Sequence, residues 1–337
     1  MTLNITRSSL EEIHRDLMGD LRWSFDFESA PRGKLIRELV APTFTLTDPR
    51  NRLITSPARA VNYGFAVGEL CWYLRGDTDL ETMRYYNKRM AQFSDDGLTI
   101  NSAYGNRLFR GRWFGPPGSP SFTEGEGQFD QVLAELTADP ASRRAVMHIN
   151  EPEDLRRTVV QGSKDVPCTL SIQLLIRDRH LHMHVVMRSN DVVWGLPYDV
   201  FSFTCLQELF MLELRRRGVP VDDVGSYHHT AGSLHLYDTH WGMAGEVANE
   251  EHPWPAPMLP VTWDQMEWLA TQYEPACRQS VGNPLAPLNV SWPPAFSSPE
   301  RDADQTTLEW MVSMLVDHRD RRVIEKIEKD KREQQSP

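Results

Sequence analysis

Residues 167–199 read PCTLSIQLLIRDRHLHMHVVMRSNDVVWGLPYD. Thr169–Ile176 and Leu181–Met187 are apolar runs that alternate and carry β-branched residues, and Arg177-Asp178-Arg179-His180 separates them. That pattern predicts a β-hairpin. The second run ends in four polar residues, Arg188-Ser189-Asn190-Asp191, and Gly195-Leu196-Pro197 then makes a turn that delivers Asp199 to the next element. Asp199–Arg217 is apolar almost all round and closes on Gly218, which predicts a buried helix with a glycine C-cap.

Working outward, Arg59–Arg75 reads as a mainly apolar helix through Val61, Phe65, Leu70 and Leu74, stopped by Gly76. The stretch 114–127 is rich in Pro, Gly and Ser and reads as an exposed loop. Phe129–Leu136 is helical in pattern and ends at Asp139-Pro140. Residues 259–299 hold many of the prolines and tryptophans and read as coil with short helices. Thr307–Ile327 repeats apolar residues at Leu308, Met311, Leu315 and Val316 before turning into charges, the pattern of a docked helix with a solvated tail. There is no internal repeat. The mixture of long helices, hairpin and long loops fits an α/β or α+β domain. One domain is expected over residues 1–337, with its core at about 25–245, an extension over 246–337 and a loose tail from about 328.

The formal net charge of -11 argues against a polymeric nucleic-acid partner, whose phosphates demand a basic face. It leaves room for a single nucleotide, which needs only a few local arginines. Cys71, Cys168, Cys205 and Cys277 form no CxxC pair and no Cys/His cluster, so no metal is expected. The N-terminus carries Glu11, Glu12 and Asp16 without an apolar core, unlike a signal peptide, and no apolar run is long enough to span a bilayer. A cytoplasmic setting with reduced thiols is the simplest expectation, with no membrane partner.

Taken alone, Cys168 reads as a buried structural cysteine. Arg188 and Asp191 read as a strand-end ion pair, and Asp199 as an N-cap. The functional alternative is that Arg188 lowers a thiol pKa or grips a phosphate through its planar fork.

The order of motifs decides between these readings. A Pro-Cys, a Gln five residues on, Arg-Ser-x-Asp and Gly-x-Pro-aromatic resemble the active-site segment of the thymidylate synthase family. Gly68-Glu69-Leu70-Cys71-Trp72-Tyr73-Leu74-Arg75-Gly76-Asp77-Thr78 resembles the family's Glu-Leu-x-Trp-x-Leu-x-Gly-Asp-Thr helix. Tyr104-Gly105, Asp139-Pro140 with Ser142-Arg143-Arg144, and Gly232-Ser233-Leu234-His235-Leu236-Tyr237 resemble further family landmarks in the right order. The resemblance implies a large mixed β-sheet flanked by helices, with sheets packed face to face in a homodimer that shares its active sites. It implies Cys168 as the nucleophile that adds to C6 of a pyrimidine, making C5 reactive. Glu69 would organise proton transfers, Tyr104 would assist removal of the C5 proton, and Asp191 would join them. Arg188 and Ser189 would bind the 5′-phosphate, with Arg143 and Arg144 from the second subunit and Arg32 from a mobile loop. His235 and Tyr237 would hold the sugar. Asp199, Thr169 and Gln173 would face the base, and Asp191, Trp194, Gly195 and Met90 would face the folate, 5,10-methylenetetrahydrofolate.

Two departures from ordinary thymidylate synthases bear on the substrate. Those enzymes carry an asparagine where this chain has Asp199. An amide is one donor and one acceptor and so satisfies uracil. A carboxylate accepts from the 4-amino group of cytosine and from N3 once the ring is protonated, but opposes O4 of uracil at a cost of about 1–3 kcal/mol. Asp199 therefore points to cytosine. Thr169 stands where a histidine usually follows the nucleophile, which is similar to the phage deoxycytidylate hydroxymethylases, where water captures the methylene intermediate. Met90 falls where a tryptophan often packs on the folate, and Trp194 replaces a small aliphatic residue and can rebuild that wall. The C-terminus lacks the short apolar ending that closes synthases, which favours entry of water.

The expected activity is thus 5-hydroxymethylation of a cytosine nucleoside monophosphate, dCMP ahead of CMP because the Arg188-Ser189 pair is intact. The alternative enzyme is a reductive methylase of dUMP or dCMP. The alternative from another class is an inactive nucleotide- or RNA-binding homologue, against which Cys168, Glu69, Tyr104 and Asp191 all stand.

Overall fold

The structure is a computed structural model and describes residues 3–109, 127–251, 255–282 and 307–334. Its strands, in chain order, are β1 (Asn4–Arg7), β2 (Phe27–Ser29), β3 (Ile36–Val40), β4 (Thr43–Leu46), β5 (Val146–His148), β6 (Thr169–Arg177), β7 (His180–Met187), β8 (Asn190–Asp191), β9 (Asp223–Ala231) and β10 (Ser233–Tyr237). The helices are α1 (Leu10–Trp23), α2 (Tyr63–Arg75), α3 (Leu80–Tyr86), α4 (Tyr104–Phe109), α5 (Gln128–Ala138), α6 (Pro152–Gln161), α7 (Leu196–Arg216), α8 (Trp241–Asn249), α9 (Trp263–Trp268), α10 (Glu274–Gln279) and α11 (Thr307–Gln334).

The larger sheet has the order β1-β4-β9-β7-β6-β5 and the smaller one β2-β3-β10-β8, both mixing parallel and antiparallel pairs. This is the mixed α/β class expected. The expected hairpin is β6–β7. Asp178 and Arg179 turn it with φ of 49° and 62°, the left-handed pair that matches strand twist in a tight hairpin. Strand alternation sends Ile172, Leu174, Met183 and Val185 into the core, while Gln173, His182, His184 and His228 share the other, half-buried face. Elements ahead of residue 25 also pack into the fold. β1 pairs in parallel with β4, and Leu10, Ile13, Leu17 and Leu21 of α1 are buried.

The helix expected over 59–75 starts later, at the Asn62 N-cap, and ends on Gly76 at φ 64° as its sequence requires. The long helix starts earlier than expected, with Gly195 as N-cap and Pro197 in the first turn. Asp199 is therefore inside the first turn and is not the cap. Phe201, Phe203, Leu206 and Phe210 make α7 the centre of the core. The expected loop at 114–127 lies outside the described residues, save Gly127, the N-cap of α5.

The C-terminal extension braces α2. A Cβ on Gly68 would lie 2.3 Å from the Tyr86 ring, and the Tyr86 hydroxyl donates to buried Glu274 at 2.7 Å. Glu274 also takes Arg75 at 2.8 Å and Arg278 at 3.0 Å. Glu69, the next residue along α2, is thus held on a helix pinned from behind. No helix among the described residues is long and apolar enough to cross a membrane.

Candidate active site

Cys168 sits just ahead of β6, beside a bulge between Thr169 and Ser171. Bulges re-aim side chains, and here Cys168 keeps part of its surface exposed. It is half-buried, whereas Cys71, Cys205 and Cys277 are buried. The backbone N–H groups of Cys168 and Thr169 donate to the Tyr104 hydroxyl oxygen at 3.2 and 3.3 Å. With its oxygen so engaged, that hydroxyl presents its own hydrogen elsewhere. Arg188 donates to the carbonyls of Pro167 and Val166 at 3.0 and 3.1 Å, which fixes its guanidinium beside the thiol. Burial pushes the Cys168 thiol up, and Arg188, then Arg32, oppose that. No Arg188–Asp191 ion pair forms, because Asp191 Oδ1 caps the turn by accepting from Val193 and Trp194 N–H at 2.8 and 3.1 Å.

Facing the thiol is a group of acids. Asp199 Oδ2 accepts from Asn190 Nδ2 at 2.7 Å. The residue as a whole is half-buried, yet protein atoms crowd its carboxyl, and this burial pushes Asp199 up to about 7 against the Asn190 hydrogen bond. Burial, then the charge of Asp199, pushes Glu69 up to about 8, with a Tyr73 hydrogen bond opposing. Burial and neighbouring acids hold Tyr73 and Tyr104 well above the usual phenol range. Such displaced acids in one cleft mark a site built for proton transfer.

Ser189 Oγ lies 3.4 Å from His235 Nδ1, and the His235 and Tyr237 rings meet edge to face at 5.2 Å. Arg32 takes an unusual φ of 55° and adds positive charge near both Cys168 and His235. These residues bring positive charge, hydroxyls and an imidazole to one side of Cys168. Four expected residues stand apart from these within one chain, two of which, Arg143 and Arg144, are expected from the second subunit. Arg143 and Arg144 are exposed, and Arg144 pairs with Glu135 at 2.8 Å. Gln173 donates to the Arg143 carbonyl at 2.9 Å from the open face of the sheet. Thr169 is fully buried behind the nucleophile.

At the other end stands Trp194, 40% exposed. Its ring lies 5.2 Å from the Arg59 guanidinium and 4.8 Å from that of Arg89, and its Nε1 donates to His240 Nε2 at 3.3 Å. Met90 is half-buried beside Arg89. A Cβ on Gly195 would come within 3.2 Å of Asp191 O and Asp199 Oδ2, so glycine keeps this corner open. An exposed indole flanked by cations, with half-buried Asp191 beside it, fits a flat heteroaromatic carrying an acidic tail. Sequence reasoning gave no role to Arg59, Arg89, His240, Tyr73 or Asn190. Asn190 and Tyr73 had a usable signal, their places inside Arg-Ser-x-Asp and the Glu-Leu-x-Trp-x-Leu helix.

The family model described as "Thymidylate synthase" matches residues 38–274. The deoxyuridylate hydroxymethyltransferase of Bacillus phage SP01 is 35% identical over 214 residues, covering 63% of this chain and 53% of that protein. The protein of the same name from Delftia phage PhiW-14 is 29% identical over 222 residues, 63% and 56% of the two chains. That from Pseudomonas phage M6 is 32% identical over 207 residues, 61% and 51%. The chain spans about half the length of these curated relatives.

Proposed function

The chain belongs to the thymidylate synthase family, and from that premise we propose that it transfers a one-carbon unit from 5,10-methylenetetrahydrofolate to C5 of a pyrimidine nucleotide and yields the 5-hydroxymethyl product. The observation that supports this most is the meeting of the Cys168 thiol, the Tyr104 hydroxyl, Glu69 and Asp199 in one cleft, with Arg188 beside the thiol. The relatives named as hydroxymethyltransferases support the same reaction class.

Cys168 adds to C6, so that C5 gains enamine character. Arg188 supplies the positive charge that favours the thiolate and, with Ser189 and Arg32, receives the 5′-phosphate. His235 and Tyr237 take the sugar hydroxyl. The folate, when bound, supplies carbon at the oxidation level of formaldehyde, and Trp194, Asp191, Gly195, Met90, Arg59 and Arg89 are the residues that would hold it. Tyr104 passes on the C5 proton, its phenol too weak an acid to act as a free phenolate. Glu69, poised near neutrality, gives and takes protons. Water adds as hydroxide to the exocyclic methylene carbon on C5, and the thiolate leaves C6 to restore the ring.

Asp199 supports cytosine as the base and dCMP as the substrate. The names of the relatives favour a second reading, dUMP. We propose a homodimer through the half-buried sheet face of Gln173, His182, His184 and His228, which would carry Arg143 and Arg144 to the partner's phosphate site. The test offers dCMP, CMP, dUMP and UMP with methylenetetrahydrofolate and identifies products by mass. Hydroxymethyl-dCMP with tetrahydrofolate is expected. Formation of dihydrofolate, seen as an absorbance rise, would mean reductive methylation instead. Turnover of dUMP well above the cytosine nucleotides would defeat the Asp199 argument, and full activity from a monomer in sedimentation would defeat the shared site.

A further inference from the structure

Asp199 is unusual in this fold for its surroundings. The groups that face it are Glu69 and Tyr73 of α2, Tyr104 of α4, Cys168 before β6, Asn190 of β8 and Tyr227 of β9. None of these is a cation. Arg188 and Arg32 act on Cys168, and neither contributes to Asp199. The one hydrogen bond given to the carboxyl comes from an amide N–H, which holds Oδ2 as an acceptor and leaves Oδ1 as the oxygen for a proton.

Resting on the hydroxymethylase reading, we propose that Asp199 works as a neutral carboxylic acid, donor at one oxygen and acceptor at the other, so that the same cleft takes both cytosine and uracil monophosphates while it holds its proton. A neutral carboxyl matches either base. For cytosine, the 4-amino group donates to one oxygen and the acid hydrogen goes to N3. For uracil, N3-H donates to one oxygen and the acid hydrogen goes to O4. Passing from one pattern to the other moves only the proton between two oxygens. An amide in this place would have to turn over bodily against Asn190 and Gly195, whose site is already tight. Cytosine remains the better substrate, because N3 is more basic than O4 and shares the proton more strongly. The ionised carboxylate is two acceptors and opposes N3 of neutral cytosine as it opposes O4 of uracil, so both activities decline together when the proton is lost. Because Asp199 is pushed up to about 7, that decline begins near neutrality.

The test compares wild type and Asp199→Asn with dCMP and dUMP, each with methylenetetrahydrofolate, across the neutral and mildly alkaline range. Product is read by mass. Proton uptake on binding is read by calorimetry near pH 8 in two buffers of different ionisation enthalpy. Wild type is expected to convert both bases at mildly acid pH, with kcat/KM for each falling about tenfold per pH unit once Asp199 ionises. Asp199→Asn is expected to keep dUMP, to lose dCMP at least about tenfold, and to show no fall until Glu69 titrates. On binding dUMP, wild type takes up nearly one proton and the variant none. Absence of dUMP product from wild type wherever dCMP is converted would overturn the proposal, as would equal proton uptake by the two proteins. If neither base is converted, the hydroxymethylase reading fails, and proton uptake still decides the state of Asp199.

Discussion

Replacing Arg188 by alanine tests whether the cleft makes its own nucleophile. The guanidinium is tied to the carbonyls of Val166 and Pro167, so it stands against the residue that carries the thiol. Burial raises the Cys168 pKa, and Arg188 is the largest influence acting the other way. An opposite charge at such range lowers a pKa by about 1 to 3 units, so its loss cuts the thiolate fraction at neutral pH by roughly 10- to 1000-fold. Iodoacetamide alkylation measures this directly, because Cys71, Cys205 and Cys277 are buried and only Cys168 is accessible among the four. The alkylation profile of Arg188→Ala should move to higher pH by that amount, with peptide mapping placing the adduct on Cys168. Arg188→Lys keeps the charge and loses the fork, so it should stay close to wild type in alkylation while weakening nucleotide binding. Superimposable profiles for wild type and Arg188→Ala would refute the electrostatic role and leave Arg188 as a clamp on the loop.

Three further outcomes follow from the same geometry. Tyr104→Phe removes the acceptor of two backbone N–H groups, so it should cost about 1–3 kcal/mol in urea unfolding. It should also slow tritium release from C5-labelled nucleotide by about 100-fold or more, and lost stability with unchanged release would make Tyr104 structural only. Glu274→Gln uncouples two guanidiniums and the Tyr86 hydroxyl at a buried point behind α2, and should cost about 3–5 kcal/mol, read as a lowered Tm. Asp199→Asn should stabilise the chain more at alkaline than at acid pH. The folded-state pKa lies above the unfolded value of about 4, so the native chain binds more protons between about pH 4 and 7 and loses stability as pH rises through that window. A gain of about 2–4 kcal/mol above neutrality, shrinking to little near pH 4, is expected from urea titrations, and a pH-independent difference would contradict it.

The hairpin and the buried helix were legible because each rests on local chemistry. Alternation, the Asp178-Arg179 turn and the glycine after α7 all act within a few residues. The start of α2 was misjudged because Arg59 looks helical in sequence but spends its guanidinium on the Val193 carbonyl, across the fold. The place of β1 beside β4 was missed for a related reason, since a four-residue strand carries too little pattern to announce a partner almost forty residues away. Motif order named most of the residues that lie around Cys168, but Gln173 shows its limit. A strand residue's face is set by pleat and bulge, and Gln173 falls on the face away from the core. Arg59, Arg89 and His240 converge on Trp194 from three separate segments, and no spacing in the sequence encodes that meeting.

The strongest sign that the cleft does chemistry is a contrast within the core. Elsewhere among the described residues the buried acids are met by donors, guanidiniums for most of them, backbone N–H groups for Asp165, and the Thr55 N–H and hydroxyl for Glu11. Glu208 is joined by Arg52 and Arg50, Asp154 by Arg107 and Arg157, and Glu274 by Arg75 and Arg278. Those pairings offset part of the cost of desolvating a carboxylate. Glu69 and Asp199 face each other with no such partner among the described residues, and both keep their protons to near neutrality as a result. Leaving these two without a cation costs stability, and we read that cost as serving a proton held and released beside Cys168 and a bound base. A guanidinium placed against Asp199 would stabilise the fold and abolish that property, which separates a functional reading of the acid pair from a structural one.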